Sequence, residues 1–181
     1  MFYYMAKNSL KQIEKDEEQI LKELSNNSNK SINEIAKKCG FSRQKVWRII
    51  KNLERNHTIW GYTTIIDEEQ QGLKSYTVLI KRTNLPLKEA DVDKIVEREL
   101  EKMAKKVGVA VLSSYYVHGD YDWLIHINAL NTKDAKKFCE TVNLTYTGII
   151  SDIRLLETLF TAKKNGITNP NMTKLKDFFI K

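Results

Sequence analysis

The sequence lacks several features that would place it in common classes of protein. It contains no run of about 18 apolar residues, so we expect no membrane-spanning helix. Its first residues do not combine a long apolar stretch with small residues, so we expect no secretory signal. It also lacks a Ser/Cys–His constellation, a phosphate-binding loop and the HExxH zinc pattern. These absences argue against an enzyme, and we expect no cofactor.

Cysteine is also scarce, and its spacing argues against two further kinds of site. Cys39 and Cys139 are the two cysteines of the 181-residue chain, and neither belongs to a CxxC pattern. The sequence therefore predicts neither a disulfide framework nor a zinc site. Buried free thiols are typical of a reducing compartment, so we expect the protein to be cytoplasmic.

Positive charge is concentrated in the first third of the chain. The formal net charge is +7, and residues 30–60 contain eight Lys and Arg but only Glu34 and Glu54 as acids. A basic cluster on a small element is typical of a protein that binds a polyanion. A solvated lysine-rich face is the alternative interpretation.

Local signals in this third predict three helices. The segment EQILKEL has helical spacing of its apolar residues and is followed by the polar breaker SNNSN. Ser31 and Glu34 form a capping box that predicts the start of a second helix. Gly40 predicts its end, because glycine readily adopts the left-handed conformation that reverses the chain.

The third helix is predicted to follow Ser42 and to have two different faces. Val46, Ile49, Ile50 and Leu53 form a buried stripe, and the opposite face is cationic and bears an amide. This helix-turn-helix pattern suits DNA, because Arg and Gln can bind base edges and Lys can bind phosphates. An ordinary basic surface helix is the alternative. The candidate DNA-binding residues are Ser42, Arg43, Gln44, Lys45, Trp47, Arg48 and Lys51.

The remainder of the chain is predicted to be an α/β sandwich. Strands are expected at residues 75–82, 109–117, 123–130 and 153–162, with helices at 88–106 and from Thr132 onward. The order β-α-β-β-α-β predicts a ferredoxin-like fold, and the whole chain is an α+β protein. The predicted domains are 1–63 (helix-turn-helix), 64–74 (linker), 75–162 (sandwich) and 163–181 (C-terminal extension). Met172, Leu175 and Phe179 of the extension could form a short docked helix, and a frayed terminus is the alternative.

The stretch HGDYDWLIH, residues 118–126, falls between the two central strands. Gly119-Asp120 predicts a two-residue type II′ hairpin turn, with His118 opposite Tyr121. Alternation along the strand then separates the histidines and aspartates, so neither a metal site nor a catalytic carboxylate pair is expected. The backbone N–H groups and carboxylate of this tight turn could hold a small polar ligand.

These stretches together resemble the Lrp/AsnC (feast/famine) family of transcriptional regulators over about residues 13–162. The resemblance is carried by SINEIAKKCGFSRQKVWRIIKNLE, by Ile59-Trp60-Gly61-Tyr62 leading to Asp67, and by Gly119-Asp120-Tyr121-Asp122. It implies that the N-terminal domain binds double-stranded DNA. The paired sheets would form homodimers that join into tetramers, octamers or open helices. An amino acid would bind where the turns of neighbouring dimers meet, with Gly119, Asp120, Tyr121 and Asp122 as the effector-binding residues.

The implied function is a sequence-specific transcriptional regulator whose assembly or DNA affinity responds to an amino acid or a related metabolite. An architectural DNA-packing protein of the same fold, without effector response, is the alternative. The sequence does not separate these two functions.

Overall fold

The computed structural model describes residues 2–180, and their side chains from residue 10 onward. The chain folds as two compact units, Met1–Ile65 and Ile66–Lys181. None of the helices in the described residues is both long and apolar enough to span a membrane.

The first unit contains the three predicted helices. They are α1 (Phe2–Asn26), α2 (Ile32–Cys39) and α3 (Arg43–Arg55). The apolar residues of each helix lie along one side of it, because they follow helical spacing. These sides pack together in one small core. The buried members of this core are Ile20, Ile35, Ala36, Val46, Ile49 and Leu53.

The boundaries of α2 and α3 follow from their capping residues. Ser31 Oγ accepts a hydrogen bond from the Glu34 backbone N–H at 3.2 Å, and a Glu34 carboxylate oxygen accepts one from the Ser31 N–H at 2.8 Å. The predicted capping box is thus confirmed. Gly40 ends α2 with a φ of 69°, and Ser42 Oγ then accepts a hydrogen bond from the Lys45 N–H at 3.2 Å.

Two buried carboxylates on α1 hold lysines from the rest of the unit. Asp16 lies 2.6 Å from the Lys45 ammonium, so it ties α1 to α3. Glu23 lies 2.7 Å from Lys30 and 2.9 Å from Lys38, so it ties α1 to the α1–α2 loop and to α2. These ion pairs neutralise part of the positive charge that is concentrated in this unit.

The second unit has the predicted ferredoxin-like topology. Its sheet consists of β1 (Lys74–Arg82), β2 (Ala110–Tyr116), β3 (Trp123–Ala129) and β4 (Ile150–Glu157), in the order β2-β3-β1-β4. All neighbouring strands are antiparallel. One face of the sheet packs against the helices α5 (Glu99–Lys106) and α6 (Thr132–Thr145), and forms the second core with them.

None of the α-helices among the described residues contributes to a core on the other face of the sheet, which we call the open face. It carries Thr77 of β1, Leu124 and His126 of β3, Tyr115 of β2 and Leu156 of β4, which alternate with the core residues of the same strands. Tyr115 is 52% exposed and Leu156 is 48% exposed. The open face therefore presents apolar and aromatic side chains together with charged ones, because Lys81, Asp152 and Arg154 also lie on it.

The predicted boundaries of two elements in this unit were wrong. The helix expected at 88–106 is two helices, α4 (Glu89–Val96) and α5, because Arg98 between them is left-handed with a φ of 60°. The break lets Leu100 and Met103 pack into the core, whereas α4 buries no residue fully. The last strand ends at Glu157 rather than at residue 162, and starts three residues earlier than expected, at Ile150.

The C-terminal extension is ordered by contacts with its own unit. Strands β5 (Lys163–Lys164) and β6 (Ile167–Thr168) form a small hairpin, and the short helix α7 (Lys176–Phe179) follows. Lys164 forms an ion pair with the buried carboxylate of Glu68. The rings of Phe160 and Phe178 lie 6.0 Å apart. The expected helix docked by Met172, Leu175 and Phe179 was wrong in part, because a 3-10 turn (Met172–Leu175) precedes a four-residue helix and Phe179 is 80% exposed.

The capping box gives a testable prediction for the first unit. Ser31→Ala removes the side-chain acceptor at the start of α2 and should lower the free energy of unfolding of this unit by about 1 kcal/mol. Thermal or urea denaturation followed by circular dichroism measures the change. Ser28→Ala, at an exposed serine in the preceding loop, serves as the control and should leave the unfolding curve unchanged. Equal stability of both variants would show that the box does not stabilise α2.

Candidate DNA interface and effector turn

The two faces of α3 determine which of its side chains can reach a partner. Val46, Ile49 and Leu53 are buried against α1 and α2, so the opposite face of α3 points outward. A helix held this way by its apolar stripe presents a fixed set of polar side chains. The exposed residues of that outward side include Arg43, Gln44, Trp47, Arg48, Lys51 and Arg55.

Two of the sequence-predicted DNA contacts take part in the fold itself. The Ser42 hydroxyl caps α3, as described above. The Lys45 ammonium lies between Asp16 and the Phe41 ring, 3.9 Å from the ring centroid, and its side chain is only 33% exposed. The hydrogen bond from Lys45 lowers the pKa of Asp16. The sequence could not show this role of Lys45, because Asp16 lies on a different helix.

The remaining candidate residues differ in whether an acidic side chain neutralises their charge. The Lys51 ammonium lies 2.7 Å from Glu54, one turn along α3. Arg43 and Arg48 are exposed and form no ion pair with any residue of the described part of the chain. Arg43, Gln44 and Arg48 therefore form the donor-rich part of the surface, and Trp47 beside them is 54% exposed.

Sequence reasoning missed one prominent side chain near this surface. Trp60 follows α3 and is 94% exposed, although Ile59 beside it packs on the core of the unit. The Ile59 backbone N–H donates to the Leu53 carbonyl at 3.0 Å, which fixes where the chain leaves the helix. The signal was present in the Ile59-Trp60-Gly61-Tyr62 stretch, but an exit motif alone does not show that its tryptophan is exposed.

The turn between β2 and β3 is longer than predicted. The last paired residues of the two strands are Tyr116 and Trp123, whose rings are stacked with centroids 5.3 Å apart. The Val117 N–H then donates to the Asp122 carbonyl at 2.9 Å and closes a loop of residues 118–121. The two-residue type II′ turn, with His118 opposite Tyr121 in the ladder, was therefore wrong. Gly119 has a φ of 156°, a positive value that residues with side chains rarely adopt.

Asp122 is bonded to β1 as well as to Val117. Its backbone N–H donates to the Ile80 carbonyl at 2.9 Å, and its carboxylate accepts the Arg82 backbone N–H at 2.8 Å. Both bonds hold Asp122 at the end of β1. One carboxylate oxygen of the proposed effector residue is thus already used to hold the sheet together.

The end of β1 and the start of β4 supply further polar groups beside this turn. The Arg82 Nε is buried and has no acceptor among the described residues. Arg154 of β4 donates to Asp152 at 2.9 Å, and this bond together with nearby Tyr121 raises the pKa of Arg154. Gly119 and Asp120 are exposed at the tip of the loop. No three His, Cys, Asp or Glu side chains of the described residues lie close enough together to hold a metal ion.

The helix-turn-helix assignment is supported by comparison with known domains. A family model described as winged helix-turn-helix DNA-binding matches residues 17–59, which cover the C-terminal part of α1 and all of α2 and α3. No curated protein matches the sequence of the chain.

Solved structures resemble both units together. An AsnC family transcriptional regulator from Agrobacterium tumefaciens is 18% identical, with 91% of this chain and 98% of that chain covered and a TM-score of 0.61. A transcriptional regulator from Neisseria meningitidis, solved in complex with L-Met, is 18% identical, covering 88% and 97%, with a TM-score of 0.63. The leucine response regulatory protein (LrpA) of Mycobacterium tuberculosis is 19% identical, covering 83% and 94%, with a TM-score of 0.62. The chain therefore has the fold of the Lrp/AsnC transcriptional regulators, in which a winged helix-turn-helix is followed by a ferredoxin-like α/β domain.

Proposed function

We propose that the chain is a sequence-specific transcriptional regulator of the Lrp/AsnC family whose assembly or DNA affinity responds to an amino acid or a related metabolite. The DNA-binding part of this proposal rests on the outward face of α3. It belongs to a winged helix-turn-helix, and Arg43, Gln44 and Arg48 on it are exposed and not neutralised by described neighbours. These side chains can bind guanine and adenine edges in the major groove.

The effector part of the proposal rests on the turn at residues 118–121 and on Asp122. An amino acid carries an ammonium and a carboxylate, and the turn offers groups for both. The second oxygen of Asp122 can accept from an ammonium, and the backbone N–H groups of the turn can donate to a carboxylate. A likeness in fold to a regulator solved with L-Met makes that amino acid the first ligand to test.

The architectural alternative is favoured by one observation, the existing bond between Asp122 and the Arg82 backbone. If that bond is the whole role of Asp122, the turn needs no ligand. The two functions differ in their DNA affinity, because a regulator binds its operator far more tightly than other DNA at the same salt concentration. Genome-wide mapping of bound DNA, with and without added amino acids, distinguishes them directly.

The open face of the sheet supports a homodimer as the unit of assembly. Its exposed Tyr115 and Leu156 and its half-buried Leu124 and His126 leave one face of a four-stranded sheet without a covering layer. Antiparallel sheets often leave one face to solvent, but the apolar side chains on this face gain free energy when they are covered. A second copy with the same face can cover it symmetrically.

Arg48→Ala and Gln44→Ala should weaken specific DNA binding without changing the fold. Each loses a bidentate contact with a base, which amounts to about 1–3 kcal/mol concentrated at one operator position. The measurement is titration of a mapped operator and its single-base variants at fixed salt. Lys137→Ala, which removes an exposed cation from the other unit, should leave the affinity unchanged. Wild-type affinity in both α3 variants would refute the proposed role of this helix face.

Asp122→Asn should abolish most of the metabolite response and keep the fold. The amide oxygen can still accept the Arg82 N–H, but the negative charge for a ligand ammonium is lost. Effector affinity should fall about tenfold to a hundredfold, as expected for a charge-assisted hydrogen bond of about 1.5–3 kcal/mol. Calorimetric titration with a panel of amino acids, beginning with L-Met, measures it. Asp177→Asn, at an exposed carboxylate in α7, is the control.

Two other results of that titration would contradict this expectation. Equal binding by wild type and Asp122→Asn would leave Asp122 as a residue of the sheet alone. Binding by neither protein would favour the architectural function.

Tyr115→Glu should weaken the homodimer, because it places a charge on the open face. Light scattering of the full-length protein across micromolar concentrations should show a dissociation constant that is at least tenfold higher. Leu144→Glu puts the same charge at an apolar residue of α6 that is 75% exposed and lies outside the sheet, so its assembly should be unchanged. Identical assembly of the two variants would remove the open face as the dimer interface.

A further inference from the structure

The two units are joined by residues 60–67, which we call the connecting segment. These residues belong to no helix or strand, and none of their side chains is buried. Ile59, just before the segment, packs on the core of the first unit. Glu68, just after it, belongs to the second unit and is only 8% exposed. These two residues are therefore the points at which the connecting segment is fixed.

Glu68 fixes the segment with a buried carboxylate. Its backbone carbonyl accepts the N–H groups of Gln71 and Leu73, each at 3.0 Å, and so closes a short turn before β1. Burial alone would raise the pKa of Glu68, but hydrogen bonds from Lys164 and from Asn128 of β3 lower it. The side chain is therefore charged at neutral pH. A buried charge costs free energy unless it has a partner of opposite sign.

The cationic partner of Glu68 comes from the C-terminal extension, 96 residues later in the chain. Lys164 lies in β5, and its ammonium forms an ion pair with the Glu68 carboxylate. The Lys164 side chain is 31% exposed, so it lies along the protein and does not extend into solvent. Lys163 beside it is exposed and forms no ion pair within the described part of the chain.

The hairpin that carries Lys164 has a defined shape. Asn165 and Gly166 have φ values of 45° and 84°, and two successive positive values are the mark of a two-residue type I′ turn. After β6, Asn169 donates from its backbone N–H to the Ala162 carbonyl at 2.9 Å, and from its side chain to the Thr161 carbonyl at 2.8 Å. The hairpin is thus closed at both ends, and it holds Lys164 in one place.

We propose that this hairpin is a strap that fixes the end of the connecting segment, and that Lys164 and Glu68 are positioning residues for DNA binding. This inference rests on the proposed function, because it needs a DNA-binding unit at the other end of the segment. With the ion pair intact, the free part of the chain is residues 60–67. Without it, the first fixed residue is Lys74, where β1 starts to pair with β3, and the free part becomes residues 60–73.

The free length of the chain matters for a homodimer that binds two half-sites. Once one DNA-binding unit is bound, the second reaches its half-site at an effective concentration that falls with roughly the −3/2 power of the tether length. Nearly doubling the free length should therefore lower the affinity for a two-half-site operator about two- to threefold. Binding to a single half-site involves one unit only, so its affinity should not change.

Hydrogen exchange of the full-length protein tests the strap. Lys164→Met removes the cation and keeps an unbranched side chain, so the Glu68 carboxylate loses its partner and should move out to water. The amides of Gln71 and Leu73, which donate to Glu68, should then exchange roughly tenfold faster. Lys163→Met, on the same hairpin, is the matched control and should exchange as the wild type does. Wild-type exchange in Lys164→Met would refute the strap.

A double variant separates the ion pair from general damage to the hairpin. It combines Lys164→Met with Glu68→Gln, which keeps the shape of the side chain and removes its charge. Neither charge is then left without a partner, so the same two amides should exchange more slowly than in Lys164→Met alone. Equal or faster exchange in the double variant would overturn the ion pair as the anchor.

DNA titration of the full-length protein tests the positioning role. At fixed salt, Lys164→Met should bind a two-half-site operator about two- to threefold more weakly than the wild type and a single half-site equally well. Light scattering should give the wild-type mass, which excludes a change of assembly as the cause. An equal loss on both DNAs, or no loss on either, would overturn the positioning role. If the wild type binds no operator, the proposed function fails, whereas hydrogen exchange still decides whether the strap holds Glu68.

Discussion

The ion pairs between α1 and the lysines of the first unit determine which cations are left for a nucleic acid. Asp16 holds Lys45, and Glu23 holds both Lys30 and Lys38, so two carboxylates offset two of the three positive charges of these lysines within the fold. Hydrogen bonds from these lysines lower the pKa of both carboxyl groups. Since the folded-state pKa values are depressed, this stabilisation is present at neutral pH and is lost as the pH falls through them. The remaining charge is concentrated on the outward face of α3.

Local sequence signals were sufficient for most of the fold. The Ser31–Glu34 box, Gly40 and the stripe from Val46 to Leu53 act over a few residues, so they could be recognised without knowledge of tertiary contacts. The order of strands and helices then predicted the topology of the sheet. Signals that depend on distant residues were missed. The carboxylate that holds Lys45 lies on α1, and Asp122 is bonded to the end of β1, so neither the role of Lys45 nor the contacts of Asp122 could be predicted.

The proposed effector turn and the edge strand β4 are linked through one residue. Arg154 is hydrogen-bonded to Asp152 on β4 and lies close enough to Tyr121 of the turn for that tyrosine to affect its pKa. Asp122, next in the chain, is bonded to the backbone of Arg82 at the end of β1. A ligand that moved Tyr121 would therefore change the surroundings of the Arg154 charge on the open face. Contacts of this kind give a physical route by which a small molecule could alter assembly.

The weak docking of α4 has a consequence for local stability. This helix buries no side chain fully, and Ile95 is its one residue packed partly against the core of the described unit. Lys94 adds hydrogen bonds to Asp91 at 3.1 Å and to the Thr145 carbonyl at 3.2 Å, both near solvent. Opening α4 exposes little apolar area, and the left-handed Arg98 already separates it from α5. Its amide hydrogens should therefore exchange with solvent faster than those of α6, through a local opening that leaves the sheet intact.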